Sequence, residues 1–194
     1  MKKDKYDIFI IGVGGQGIGL LSETLLRAVD HAGQTVKGVD THGLAQRGGM
    51  VVSQIRIGAA VHSPLIMPGA ADMVVALERH EALRGLNRYL GDNGILVYYD
   101  AVWQPLPVRL KQAESVSRET ITRECAERGI REVRVFEPQL EDPRMQNVAV
   151  LAEICHLGLI PGLKTDHFEA ALGDLLAGAV LEKNLTLFRK KLST

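Results

Sequence analysis

The sequence predicts an α/β fold: an open, mostly parallel sheet with helices on both faces. Three observations carry this expectation. The runs Tyr6–Val13 (YDIFIIGV), Met73–Leu77 (MVVAL) and Ile95–Tyr99 (ILVYY) have the β-branched and aromatic content of strands buried on both sides. Segments of helical periodicity separate them, which is the alternation of right-handed βαβ crossovers. The first run ends in Gly12-Val13-Gly14-Gly15-Gln16-Gly17, a G-x-G-x-x-G turn between a strand and a helix, which opens a Rossmann-like domain.

The elements follow in order. Leu21, Leu25, Ala28, Val29 and Ala32 mark one face of the first helix, and Gly33 closes it. Val36–Asp40 reads as a second strand. Val51–Ile57 alternates apolar and polar residues and reads as a third strand with one wetter face. A helix marked by Leu83, Leu86 and Leu90 precedes the turn Asp92-Asn93-Gly94 and the strand Ile95–Tyr99. Residues 101–117, with Pro105 and Pro107 and the lone Trp103, read as a loop. Arg118–Arg128 is a charged helix closed by Gly129. Its Arg118, Arg123 and Arg128 alternate with Glu119, Glu124 and Glu127, a pattern expected to form a solvated face laced by ion pairs. Val133–Glu137 is the last strand. Val148, Leu151, Ala152, Cys155 and Leu159 then mark a helix, and Asp166–Leu176 and Leu181–Lys191 suggest two more. No repeat or linker divides the chain, so residues 1–194 are expected to form a single domain.

Charge excludes some functions. Lys+Arg and Asp+Glu both total 23, so no net field draws the chain to nucleic acid or an anionic membrane. No run approaches the roughly 18 apolar residues of a membrane span, and the start lacks a leader pattern, so a cytoplasmic location is expected. Cys125 and Cys155 are too few for an ordinary iron–sulfur cluster, which needs about four thiolates, or for a disulfide framework. Cys155 falls on an apolar stripe and is expected to pack in the core. The six histidines show no metal-binding spacing, so no metal site is expected on this chain.

The glycine turn carries the chemistry. Glycine permits a tight turn and lets backbone approach a phosphate, while the N–H groups and positive dipole end of the following helix face the anion. Asp40, at the end of the second strand, stands where a dinucleotide-binding domain places the acid that bonds a ribose. An NAD or FAD domain is therefore one reading, and a non-catalytic nucleotide-binding scaffold is another. The loop from Asp40 to Gly49 should leave the same sheet edge as the glycine turn. There Arg47 is suited to clamp a phosphate bidentately, with Gly48 and Gly49 allowing close approach. His42, a single histidine beside a glycine, is a weaker candidate.

Taken together, GVGGQGIG, VDTHGLAQRGGMVVSQIRIG and HSPLI (His62–Ile66) resemble the gamma-type subunits of 2-oxoacid:ferredoxin oxidoreductases, most of all the beta subunit of the indolepyruvate type. The likeness extends to PRMQNVAVLAEI and ALGDLLAGAVLEKNLTLF near the end. The chain departs mildly from it, reading Asp40-Thr41-His42-Gly43-Leu44 where relatives often read Glu-Val-His-Gly-Met. The resemblance implies an enzyme that oxidatively decarboxylates a 2-oxoacid, transfers the acyl group to coenzyme A and passes electrons to ferredoxin. It also implies that thiamine diphosphate, Mg²⁺ and [4Fe-4S] clusters reside on a larger alpha subunit, leaving this chain inactive alone. Transferred by motif, the coenzyme A contacts fall on Gly12, Gly14, Gly15, Gln16, Gly17 and Arg47. No catalytic side chain is implied on this chain.

Overall fold

The computed structural model describes residues 4–42, 49–103, 108, 110–111, 114–140 and 142–193. Among them the chain runs β1 (Tyr6–Val13), α1 (Ile18–His31), β2 (Val36–His42), β3 (Met50–Ile57), β4 (Ala71–Ala76), α2 (Arg79–Arg88) and β5 (Leu90–Tyr99). It continues through α3 (Arg118–Glu127), β6 (Arg131–Val135), a 3-10 turn (Pro143–Met145), α4 (Gln146–His156), α5 (Thr165–Leu175) and α6 (Gly178–Leu192). The sheet has the order β2-β3-β1-β4-β5-β6. β1, β4, β5 and β6 pair in parallel, whereas β3 is antiparallel to both β1 and β2. The reason is chain length. Only residues 43–49 join β2 to β3, too few for the dozen or more of a parallel crossover. The chain therefore doubles back, and β3 enters between β1 and β2.

Strand period distributes the core to two faces. Ile8 and Ile10 of β1 join Leu21 and Leu25 of α1, Val148 and Leu151 of α4, Phe168 of α5 and Phe188 of α6, all buried. Phe9 and Ile11, one residue out of phase, join Ala82 and Leu86 of α2 and Ile121 and Cys125 of α3 on the other face. The Phe9 ring also stacks on Tyr89, with centroids 3.6 Å apart. Gly33, at φ 69, closes α1 with its N–H donating to the Asp30 carbonyl at 2.8 Å.

Three local expectations need correction. β5 begins at Leu90 rather than Ile95, because Asp92-Asn93-Gly94 is absorbed within the strand. Asn93 takes φ 59 there, and the register with β4 shifts between Ala71 and Met73. The charged helix is not laced along its own face. Arg118 reaches Asp100 at 2.8 Å, and Arg128 donates to the Leu86 carbonyl at 2.7 Å, to the Leu90 carbonyl and to Asp92. Within α3 itself, Arg123 and Glu124 approach to 3.8 Å. Acceptors on buried backbone outcompete exposed glutamates, whose pairs contribute only about 0.2–0.5 kcal/mol. Cys155 lies at the margin of its cluster, half-buried, with Sγ 3.6 Å from Thr165 Oγ1.

Candidate functional site

β1 delivers the chain to its carboxyl end, where residues 14–17 turn into α1. The turn is held largely by its own groups. Gln16 is only 6% exposed, and its side-chain oxygen accepts from the Val13 N–H at 2.8 Å. The Gln16 N–H donates to the Val13 carbonyl at 3.1 Å. The Gly14 N–H donates to the Gly49 carbonyl at 2.9 Å, which ties the end of the β2–β3 connection to the turn. Gly12 sits in β1 opposite Val51, where a Cβ would lie 2.7 Å from Ile18 Cδ1. Gly12, Gly14 and Gln16 thus shape the turn. Gly15 and Gly17, of the five predicted residues in the turn, line an open cleft among the described residues.

Both have left-handed backbone, Gly15 at φ 101 and Gly17 at φ 83. Gly17 is the N-cap of α1. Among the described residues no side chain caps this helix, and no acidic residue lies in its first turn. Its leading N–H groups and the positive end of its dipole therefore have no capping side chain among the described residues. Asn147, at the start of α4 and 2% exposed, holds the turn from the other side of the sequence. Its Nδ2 donates to the Gly17 carbonyl at 3.2 Å, and its Oδ1 accepts from the Val148 N–H at 2.7 Å.

Gly15 and Gly17 open on a cleft of about 730 Å³, within the roughly 300–1,000 Å³ of small-molecule sites. Leu20, Met145, Leu176, Ala179 and Val180 give it apolar wall, and Asp142, Arg144, Lys183 and Asn184 give it polar wall. α6 begins here too, again with no side-chain cap. Asp142 caps the 3-10 turn, accepting from the Arg144 N–H at 2.9 Å, and pairs with the Arg144 guanidinium at 2.6 Å. Those two kinds of Arg144 hydrogen bond hold the Asp142 carboxyl below the usual carboxylate range, and the Lys183 charge adds to the pull. The sequence pointed to neither Asn147 nor Arg144. The available signal was the PRMQN stretch, which carries part of the family likeness.

The remaining predicted residues separate. Arg47 lies outside the described residues, as does the side chain of His42. Asp40 is not brought to the turn. With β3 inserted, β2 lies two strand spacings from β1, about 10 Å. The Asp40 carboxylate instead accepts from Ser22 Oγ at 3.0 Å, and Ser22 accepts from buried Ser53 at 2.9 Å. Asp100, at the end of β5, gathers Arg79, Arg118 and Arg134 at 2.5, 2.8 and 2.7 Å, with its side chain 0% exposed. Burial pushes this carboxyl up, but hydrogen bonds from Arg79 and Arg134, with the Arg118 charge, hold it below its ordinary value. The cluster locks α2, α3 and β6 to the sheet edge. Trp103 is exposed nearby, its backbone N–H donating to the Glu78 carboxylate that caps α2 at 3.4 Å. Among the described residues, no three His, Cys, Asp or Glu side chains converge as metal ligands.

The chain is similar to several known proteins. Two relatives are indolepyruvate oxidoreductase subunits IorB. That of Archaeoglobus fulgidus is 44% identical over 93 residues, 48% of this chain and 45% of the relative. That of Pyrococcus horikoshii is 36% identical over 119 residues, 61% and 58% of the two. The chain thus spans about half the length of the curated relatives it matches. The gamma subunit of a keto/oxoacid ferredoxin oxidoreductase from Geobacter sulfurreducens has the same fold, with a TM-score of 0.64 at 19% identity, covering 97% of this chain and 96% of that one. A 2-oxoglutarate:ferredoxin oxidoreductase from Magnetococcus marinus, solved with 2-oxoglutarate, coenzyme A and succinyl-CoA bound, gives a TM-score of 0.72 at 18% identity, over 99% of this chain and 31% of that one. The family model described as pyruvate ferredoxin/flavodoxin oxidoreductase matches residues 7–193, and the chain belongs to that family.

Proposed function

We propose that this chain is the nucleotide-binding subunit of a thiamine diphosphate-dependent 2-oxoacid:ferredoxin oxidoreductase, acting on indolepyruvate or a related arylpyruvate and holding coenzyme A. The observation that carries the reading is the α1 N-terminus, without a side-chain cap, behind Gly15 and Gly17 on a cofactor-sized cleft with cationic side chains. A helix terminus so arranged favours a pyrophosphate, and the glycines leave room for it. The names of the relatives support the reaction class, and the coenzyme A bound in the Magnetococcus enzyme supports the ligand. When bound, coenzyme A supplies the thiol that accepts the acyl group. This chain's part is to hold the nucleotide end, with Gly15, Gly17 and the first N–H groups of α1 facing the phosphates and Arg47 closing on them. In the same proposal the thiamine diphosphate, Mg²⁺ and [4Fe-4S] clusters belong to a larger alpha subunit, and ferredoxin is reached through the complex. The chain acts as one domain over residues 1–194, in the cytoplasm. Among the described residues, no helix is long and apolar enough to cross a membrane.

The NAD or FAD reading loses its support at Asp40, which is bonded to Ser22 two strands from β1. The test is calorimetric titration of the chain with coenzyme A, NAD and FAD, followed by reconstitution with the larger subunit. Coenzyme A binding is expected, together with 2-oxoacid-dependent viologen reduction only in the reconstituted complex. Binding of NAD or FAD in preference to coenzyme A, or 2-oxoacid oxidation by the isolated chain, would overturn the proposal.

A further inference from the structure

The cleft is larger than a pyrophosphate at the glycine turn requires. Its remaining polar wall comes from the 3-10 turn and the first two turns of α6, which contribute Asp142, Arg144, Lys183 and Asn184. Arg144 carries the most adaptable charge of this group. Its side chain is 78% exposed, and its one described ion pair is with Asp142, two residues away on the same turn. An exposed pair of this kind is weak, because water competes for both charges. A phosphate dianion offers the same guanidinium a stronger, bidentate partner. Lys183 lines the same cleft as Asp142 and Arg144, so a dianion received there meets its positive charge as well. The start of α6 has no side-chain cap and adds a dipole of the same sign.

We propose that Arg144, exchanging Asp142 for the ligand and assisted by Lys183, binds a sugar phosphomonoester on the same nucleotide whose pyrophosphate lies at the glycine turn. The proposal rests on the coenzyme reading above and adds a specificity determinant to it. Asp142 becomes an internal counter-ion that the phosphomonoester displaces. Two common nucleotides share this chemistry, coenzyme A with its 3′-phosphate and NADP with its 2′-phosphate, and the experiment separates them.

The full chain is titrated calorimetrically with coenzyme A, dephospho-coenzyme A, NADP and NAD. Arg144 is exposed and Asp142 half-buried, and asparagine keeps the cap oxygen of the 3-10 turn, so both substitutions should leave the fold intact, which far-UV circular dichroism checks. Native protein is expected to bind coenzyme A about ten- to a hundredfold more tightly than the dephospho form, the effect of one charge-assisted contact. Arg144→Gln should abolish that preference and leave dephospho-coenzyme A binding unchanged. Asp142→Asn should tighten coenzyme A by about two- to fivefold, the effect of removing a competing surface pair, and leave the dephospho form alone. If Arg144→Gln weakens both forms equally, or neither, the assignment of Arg144 is overturned while the coenzyme A reading stands. If native protein selects NADP over NAD through Arg144 and does not bind coenzyme A, the phosphomonoester site stands and the coenzyme A reading falls. If it binds neither coenzyme A nor NADP, both fall.

Discussion

Gly17→Ala and Gly15→Ala test how the glycine turn is held. Each substitution places a methyl group on left-handed backbone, at φ 83 and φ 101 respectively, which costs about 1–2 kcal/mol for an L-residue. Beyond that shared strain the two sites differ. A Cβ at Gly15 meets nothing within 4 Å, whereas one at Gly17 would lie 2.5 Å from Asn147 Nδ2. Asn147 would have to withdraw, breaking its bond to the Gly17 carbonyl and leaving a buried amide short of a partner, a further loss of about 1–3 kcal/mol. Gly17→Ala should therefore lower unfolding stability by about 2–5 kcal/mol and Gly15→Ala by only about 1–2. The assay is urea denaturation, with the slope of the transition checked for constancy. In an Asn147→Ala background the clash is gone, so Gly17→Ala should then cost no more than Gly15→Ala. Equal losses for the two glycine variants in native background would refute the Asn147 brace.

Other expectations test the proposed function and the buried groups of the fold. Arg47→Ala should raise the KM for coenzyme A of the reconstituted enzyme about ten- to a hundredfold, with lysine rescuing only in part because it keeps the charge and loses the fork. Unchanged coenzyme A kinetics, with the subunits falling apart instead, would make that loop an interface element. Asp100→Asn should destabilise the fold by about 3–5 kcal/mol at neutral pH, because it removes the buried partner of three arginines. The Asp100 carboxyl is held below its unfolded value of about 3.9, so its contribution is present above that pH and disappears as pH falls through the folded value. The gap between native and variant stability should accordingly narrow below about pH 4, and a gap that stays constant would count against the ion cluster. Burial pushes the Cys125 thiol up to about 12. Its alkylation at pH 8 should therefore be slower by about a thousandfold in native than in urea-unfolded protein, and comparable rates would contradict its burial.

Features that depend on neighbours along the chain were legible in the sequence. β1, the glycine turn and α1 need only a buried apolar run, a left-handed turn and a 3.6-residue period, all within Tyr6–His31. Sheet order is different in kind, because apolar alternation in Val51–Ile57 looks the same whichever strand it pairs with. The usable clue was arithmetic: residues 43–49 are too few to carry a crossover, so β3 had to return antiparallel. That insertion carries Asp40 away from the ribose position that a dinucleotide-binding domain would give it. The glycine pattern likewise merges requirements that only the folded chain separates. Gly12 is small because Ile18 and Gln16 press on it, Gly14 gives its N–H to Gly49, and Gly15 and Gly17 need positive φ. Arg144, Asn147 and Lys183 stood no nearer to the turn in sequence than many other polar residues. Asn147 reaches Gly17 across 130 positions, by one side-chain bond that no local periodicity encodes. The charged helix shows the same limit in energetic terms. Spacing alone suggests pairs contributing a few tenths of a kcal/mol each, yet Arg118 and Arg128 follow the stronger acceptors, a buried carboxylate and main-chain carbonyls that other parts of the chain bring to them. A residue's partner is set by which acceptor has lost its water, and burial of that kind is a property of the assembled sheet.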